Sequence, residues 1–165
     1  MNECDRMGAK HGPRLLVDGT AGRLARWLRI FGLDVEYVGA CEPSSITRLA
    51  RQSGRKAVTR NRNLAGRLRG AAILLQSERL DEQLKQVIGE LGRERCEVFS
   101  RCNICNAKLA GVAKERVRGR VPEYVYMNHD RFSACPVCGR YYWQGTHWQH
   151  MLAEIEAVLE GKRHG

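Results

Sequence analysis

Four cysteines are the residues of this 165-residue chain whose types and spacing indicate chemistry most directly. Cys102 pairs with Cys105 and Cys135 with Cys138, each as Cys-x-x-Cys, and 29 residues separate the two pairs. Each turn aims two thiolates at one point, and two turns complete the tetrahedral set that structural zinc prefers. Because four protein ligands leave no position open for substrate, we predict one structural Zn²⁺ that folds a zinc ribbon. Two redox dithiols are the alternative interpretation.

The remaining cysteines and two histidines give weaker indications. Seven cysteines is an odd number, and the doubled pairs favour metal binding in the cytosol over a secreted disulfide framework. We interpret Cys4, Cys41 and Cys96 as thiols without a function. His147 and His150 have no third ligand nearby, so we interpret them as polar residues at a helix start. The aromatic residues before these histidines either pack or stack on exposed bases, and the sequence leaves both open.

A single acid, Asp18, marks a second candidate site, because it ends a short apolar run and precedes a glycine-flanked turn. Apolar residues then recur at the spacing of one helix face up to Phe31. Three arginines, Arg23, Arg26 and Arg29, are predicted to project from the opposite face. We therefore expect the Asp18 carboxylate and a row of guanidinium groups to lie close together on the surface of the domain.

The segments that would position Asp18 alternate between strand and helix patterns. Strands are predicted at 34–38, 56–59 and 71–75, and helices after Ser44 or Ser45, over 63–69 and after Ser77. Together with the first strand and helix, these segments predict a parallel α/β domain over residues 13–95. Reactive groups of such a sheet gather at the carboxyl ends of its strands. Here those ends hold Asp18, residues 39–45, Arg60 with Asn61, and residues 76–82.

The composition of the sequence changes near Arg95, which we interpret as a domain boundary. Residues 1–12 have no hydrophobic period and are predicted to be a disordered tail. Residues 96–165 are predicted to form the zinc ribbon, with strands within 116–127, followed by an amphipathic helix over 146–160.

The charge of the chain indicates a polyanionic partner. Lys and Arg number 28 against 18 Asp and Glu, a net charge of +10. Residues 13–70 contain twelve basic residues, eleven of them arginine, against four acids. The guanidinium group of arginine binds phosphate through two hydrogen bonds and stacks on bases, so we expect an RNA partner. Solvated helix faces or binding to an anionic membrane surface are the alternative explanations of this charge. No run approaches the about 18 apolar residues of a membrane span and no signal sequence precedes Pro13, so we predict a cytoplasmic protein.

Six segments resemble, in the same order, the Mut-7 C-terminal RNase domain family over residues 14–151. They are LLVDGTAGRLARWLRIFGLDVEYV, VTRNRNLAGR, ILLQSERLDEQL, FSRCNICNAKL, VRGRVPEYVY and CPVCGRYYWQGTHWQHM. The resemblance implies a PIN-like α/β fold fused to a zinc ribbon, a metal-dependent RNase activity and an RNA partner. In such a nuclease, clustered carboxylates hold Mg²⁺ or Mn²⁺, which activates water.

The acidic positions of this family are only partly present. Asp18 matches the first one, but the TRD motif reads Thr-Arg-Asn at 59–61, and an acidic pair at the second helix is replaced by Ser44 and Ser45. Asp81 and Glu82 fall in the later acidic segment. Each lost carboxylate weakens the attraction for a hard cation.

Three functions follow as hypotheses. The first is an RNA-binding protein with impaired nuclease activity, binding through five arginines: Arg23, Arg26, Arg29, Arg60 and Arg62. The second is an active endoribonuclease using Asp18, Asn61 and Asp81, with Glu42 completing the site around Mg²⁺ or Mn²⁺. The third is a zinc-ribbon adaptor for a protein partner, within a ribonucleoprotein.

Overall fold

The structure, a computed structural model, describes residues 13–160. The tail predicted at 1–12 lies outside the described residues. In the part of the chain that is described, none of the helices combines the length and the apolar character needed to cross a membrane.

A four-stranded parallel sheet forms the first half of the chain, as the sequence predicted. Its strands are β1 (Leu15–Val17), β2 (Val35–Tyr37), β3 (Lys56–Thr59) and β4 (Ala72–Leu74). The order is β2-β1-β3-β4, with Val17 opposite both Tyr37 and Val58. The chain winds outward from β1 to one side and from β3 to the other, so the topological switch lies between β1 and β3.

Helices cover both faces of this sheet. They are α1 (Gly22–Ile30), α2 (Pro43–Ser53), α3 (Arg62–Leu68) and α4 (Leu80–Leu91). Leu15 and Val17 of β1 pack in the core with α1 and α4, whereas Leu16 packs on the other face with α2 and α3. All three side chains are fully buried. Burial on both faces explains why the strand reads as a continuous apolar run.

Two helix starts differ from the prediction. Helix α2 begins at Pro43 after Glu42, which places the two serines inside its first turn. Proline is favoured at the first helical position because its φ is already helical and its missing N–H is not needed there. Helix α4 begins at Leu80, and Ser77 instead accepts a hydrogen bond from the Arg79 amide at 3.0 Å. The predicted serine caps are therefore wrong.

The second half contains a three-stranded antiparallel sheet of order β5-β6-β7. Its strands are β5 (Ala110–Val112), β6 (Phe132–Ala134) and β7 (Tyr141–Trp143). The strands predicted within 116–127 are wrong, because a short 3-10 helix, Lys114–Val117, and helix α5, Glu123–Asn128, occupy this region. Val117 and Val125 are buried in the small core of the ribbon, and Val121, between them, packs against that core partly buried.

Helix α6 (Thr146–Glu160) follows the ribbon, with the bounds that the sequence predicted. It returns to the first half of the chain, where Ile155 is buried among residues of α1 and α4. Met151 packs against the same core. The amphipathic pattern of this helix therefore reflects docking onto the parallel-sheet domain.

Candidate metal centre and nucleic-acid interface

The four paired cysteines come together in the ribbon. Their Sγ atoms all lie within 4.8 Å of one another, and those of Cys102 and Cys138 are 3.8 Å apart. Tetrahedral zinc with Zn–S bonds of about 2.3 Å requires sulfurs about 3.8 Å apart. The cluster can therefore hold a metal ion such as zinc, which agrees with the prediction from the spacing.

The two cysteine pairs form equivalent turns. In each, the amide of the second cysteine donates to the sulfur of the first, at 3.3 Å and 3.5 Å. The next residues, Asn106 and Gly139, have φ values of 65° and 70°, and their amides donate to the carbonyl of the first cysteine at 2.9 Å. Asparagine and glycine are the residues that tolerate this left-handed backbone best. Asn106 and Gly139 therefore occupy equivalent places in the two turns.

The protonation of the cysteines is uneven. Hydrogen bonds from the backbone and side chain of Arg140 lower the pKa of Cys138 to about 6. A hydrogen bond to Cys138 raises the pKa of Cys105 to about 12, so this thiol retains its proton beside the thiolate. Metal binding must release such protons, which makes the affinity for metal depend on pH.

Tyr142, one of the aromatic residues before the two histidines, is a neighbour of the cluster, which the sequence did not predict. Its hydroxyl lies 3.1 Å from Cys102 Sγ and 3.2 Å from Asn103 Oδ1. Burial, followed by the hydrogen bond and charge of Cys102, raises the pKa of Tyr142 above its usual range. The hydroxyl thus stays protonated and can donate to the sulfur, as residues around metal ligands commonly do.

Arg29 anchors the first cysteine turn to the parallel-sheet domain. Its Nε donates to the Val35 carbonyl at 2.9 Å, and its NH1 donates to the Ile104 carbonyl at 2.7 Å and the Asn103 carbonyl at 3.2 Å. The side chain is buried, and this burial lowers the pKa of the guanidinium. The prediction that Arg29 projects from an exposed face is wrong, because the ribbon covers it.

Asn106 makes a second link between the ribbon and the sheet. Its Oδ1 accepts from the Val35 amide and its Nδ2 donates to Asp34 Oδ1, both at 2.9 Å. Asp34 also pairs with Arg55 at 2.7 Å and with Arg101 at 3.6 Å. Burial acts to raise the pKa of Asp34, but hydrogen bonds from Asn106 and Arg55 outweigh it, and the pKa is lowered.

Asp18 lies at the topological switch, directly after β1. It is buried, with 4% of its surface exposed. Its Oδ1 accepts from the backbone amide of Thr20 at 3.0 Å and from the Thr20 hydroxyl, and its Oδ2 accepts from the Thr59 hydroxyl. The amide of Asn61 donates to Thr59 Oγ1 at 2.9 Å. Both carboxylate oxygens are therefore held by hydroxyl groups of this edge.

The other predicted catalytic residues have structural partners of their own. The Asn61 side-chain oxygen caps α3 by accepting from the amides of Asn63 at 2.9 Å and Leu64 at 3.1 Å. Asp81, in the first turn of α4, pairs with Arg79 at 3.1 Å, and this hydrogen bond lowers the pKa of Asp81.

The other acidic residues that follow the strands of the parallel sheet are also paired or exposed. Glu82 pairs with Arg79 at 3.6 Å, and Glu78 pairs with Arg60 at 2.9 Å. Glu42 precedes α2 and is exposed, without a capping hydrogen bond.

The family model of the Mut7-C RNAse domain matches residues 13–155. The chain belongs to the Mut7-C RNAse domain family. This confirms the resemblance found in the sequence motifs and indicates a nuclease-like domain. No curated protein and no solved structure matches the chain significantly.

The residues of this Mut7-C domain do not fit the Mg²⁺ or Mn²⁺ site that its family implies. Hard cations need several oxygen ligands of negative charge. Among the described residues, the four cysteines are the only group of three or more Asp, Glu, His or Cys side chains close enough to hold a metal ion. Asp18 belongs to no such group, and both of its carboxylate oxygens already accept hydroxyl hydrogen bonds.

Arginines supply exposed positive charge on α1, directly after β3 and at the start of α3 in this Mut7-C domain. Arg23, Arg26 and Arg62 are exposed and form no ion pair with any residue from 13 to 160. The backbone amide of Arg60 donates to Thr20 Oγ1 at 3.2 Å, which ties β3 to the turn after Asp18. We call the four exposed arginines the arginine rim: Arg23, Arg26, Arg60 and Arg62.

An exposed aromatic residue that the sequence did not single out lies beside this rim. Tyr37, at the end of β2, is 44% exposed. Its hydroxyl and ring lie against Gly22 of α1, where a Cβ atom would come within 3.0 Å of the hydroxyl oxygen. A flat ring and several guanidinium groups therefore share the carboxyl edge of the sheet.

Proposed function

We propose that this chain is an RNA-binding protein that uses the carboxyl edge of its parallel sheet, with the zinc ribbon as a structural module. The observation that carries this proposal is the arginine rim, whose exposed members lie on α1, directly after β3 and at the start of α3. Guanidinium groups bind phosphate oxygens in a forked geometry, and unpaired ones are available to do so. Membership of the Mut7-C RNAse domain family makes RNA the expected polyanion.

Cleavage of the bound RNA is proposed to be impaired. Asp18 occupies the first acidic position of a metal-dependent nuclease of this family. Asn61, however, caps a helix, and Asp81 pairs with Arg79. An active site would require both side chains to leave these partners and would still lack the carboxylates that Asn61, Ser44 and Ser45 replace. Loss of negative charge weakens the binding of a hard cation, and the activation of water weakens with it.

An active endoribonuclease is the second candidate, and the RNAse description of the family favours it. In that case Asp18 would act together with Asn61, Asp81 and Glu42 around Mg²⁺ or Mn²⁺. This function predicts cleavage that depends on the added cation and on Asp18.

One experiment compares these candidates. The purified chain, loaded with zinc, is incubated with end-labelled single-stranded RNA in Mn²⁺, beside an Asp18→Asn variant that keeps the size of the side chain. Binding without cleavage in both proteins supports the proposal. Cleavage that Asp18→Asn abolishes identifies an endoribonuclease instead. Absence of both binding and cleavage, together with co-purification of a defined protein, supports the adaptor function.

A further inference from the structure

A groove opens on the ribbon side of the molecule, between β7, α5 and the start of α6. Its volume is about 510 Å³, within the range of ~300–1,000 Å³ that is usual for small-ligand sites. Six of its lining residues are aromatic: Phe99, Tyr124, Tyr141, Tyr142, Trp143 and Trp148. The ligand that such walls favour is flat and unsaturated, because aromatic faces stack on one another.

The charge of the groove is entirely positive. Arg101 and Arg131 line it, and no aspartate or glutamate of residues 13–160 does so. Arg101 is held in place by Asp34 and by the Gly32 carbonyl, to which its Nε donates at 3.2 Å. Arg131 is exposed and has no ion pair within the described part of the chain. The groove therefore complements a ligand with negative charge beside its flat part.

The aromatic walls differ in how they are held. Phe99 and Trp148 stack with ring centroids 5.1 Å apart and planes at 33°, so each fixes the other. Trp143 packs against the core of the ribbon. Tyr124, in contrast, is 63% exposed on α5, although it lines the groove. Fixed rings and an exposed ring therefore line the same groove, so a stacking partner can enter it without rearranging the core.

We propose that this groove binds unpaired bases of single-stranded RNA, with a neighbouring phosphate at Arg131. The inference rests on the proposed RNA binding and adds a second contact, on the ribbon, to the arginine rim. Single strands are the RNA class that exposes base faces, whereas a duplex keeps them stacked inside. Base stacking on aromatic side chains tolerates any sequence, so we expect little dependence on base identity.

The test uses the zinc-loaded full chain and a fluorescently labelled single-stranded oligonucleotide, compared with an abasic oligonucleotide of equal length and with a duplex. Tyr124→Ala should weaken binding to the single strand at least about fivefold. It should leave the abasic strand and the duplex unaffected, and Tyr124→Phe should bind as the parent does. Met127→Ala is the matched control, since Met127 is 69% exposed on the same helix and does not line the groove.

The outcomes distinguish this inference from the proposed function. If Tyr124→Ala binds the single strand as tightly as the parent does, while replacement of Arg23 and Arg26 abolishes binding, the proposal for the groove is wrong and the proposed function stands. If the parent chain binds the abasic and the normal strand with equal affinity, the proposal for the groove is also wrong. The groove then has another occupant, such as a protein segment. No binding of any RNA by the parent chain overturns both proposals. Zinc content and unfolding curves of each variant show whether it is folded.

Discussion

The side-chain amide of Asn106, at the end of the first cysteine turn, donates to the carboxylate of Asp34, which precedes β2, at 2.9 Å. The same side chain accepts from the Val35 amide at 2.9 Å. Asn106 therefore does more than tolerate a left-handed backbone, because it fastens the metal-binding turn to the parallel sheet. Its counterpart in the second turn, Gly139, has no atom within 4 Å of the position of a Cβ.

Replacing Asn106 by glycine should separate these two roles. Asn106→Gly keeps a residue suited to φ 65° but removes both hydrogen bonds. We expect the free energy of unfolding to fall by about 1–3 kcal/mol, measured by urea denaturation of the zinc-loaded chain. Gly139→Asn is the reverse exchange in the unconstrained turn and should change stability little. Equal effects of the two exchanges would show that the Asn106 side chain does not fasten the turn.

Arg29 and Arg26 should differ in what their loss does. Arg29→Ala removes three hydrogen bonds from a buried guanidinium to backbone carbonyls, so we expect a loss of about 3 kcal/mol in the free energy of unfolding. Arg26→Ala removes an exposed side chain and should change stability by less than about 0.5 kcal/mol. RNA affinity of the folded proteins should follow the opposite order, with Arg26→Ala the weaker binder. An RNA defect in folded Arg29→Ala as large as that in Arg26→Ala would contradict this assignment.

Zinc should stabilise both halves of the chain. We expect one zinc ion per chain by elemental analysis, and Cys138→Ser should lower this content. Because the first cysteine turn contacts Val35 through Arg29 and Asn106, removal of the metal by a chelator should also speed amide hydrogen exchange in β2. Val58 in the interior strand β3 serves as the internal control. Unchanged exchange in β2 after loss of the ribbon structure would show that the two halves are independent.

The stability of the chain should depend on pH through Asp34. The pKa of this carboxyl is lowered in the folded state from its ordinary 3.8, so its contribution is present at neutral pH and is lost as pH falls through the folded-state value. Asp34→Asn should therefore destabilise the chain by a constant amount above about pH 5 and by less below about pH 4. Release of zinc in acid affects both proteins, so the difference between their unfolding free energies is the quantity to follow. A difference that does not change with pH would contradict the role of Asp34.

Much of the architecture could be predicted because its signals are local. The strand KAVT, the helix at 146–160 and the two cysteine pairs each rest on a pattern within a few residues, and the structure contains all of them. The residue at Asn106 was also predictable, since a left-handed turn after the second cysteine needs glycine or asparagine. Family membership likewise followed from short motifs whose order is preserved.

The errors have physical reasons. The prediction of strands within 116–127 was wrong because the spacing of Val117 and Val125 is compatible with either strands or short helices. Packing in the ribbon core determines which of the two forms. Ser44 was displaced as a cap by Pro43, which fixes the first helical position. The role of Arg29 was invisible in the sequence, since one of its acceptors, Ile104, lies 75 residues away.

The salt dependence of RNA binding tests the central claim most directly. Each phosphate contact that a basic residue makes contributes to the slope of log affinity against log salt, so the double variant Arg23→Ala with Arg26→Ala should lower that slope by about 1–2 and weaken binding. The charge-matched control, Arg118→Ala with Arg120→Ala, removes two exposed arginines of the ribbon and should keep the parent's slope. Identical slopes for the rim variant, the control and the parent, or affinity that does not change with salt, would contradict RNA binding at the arginine rim.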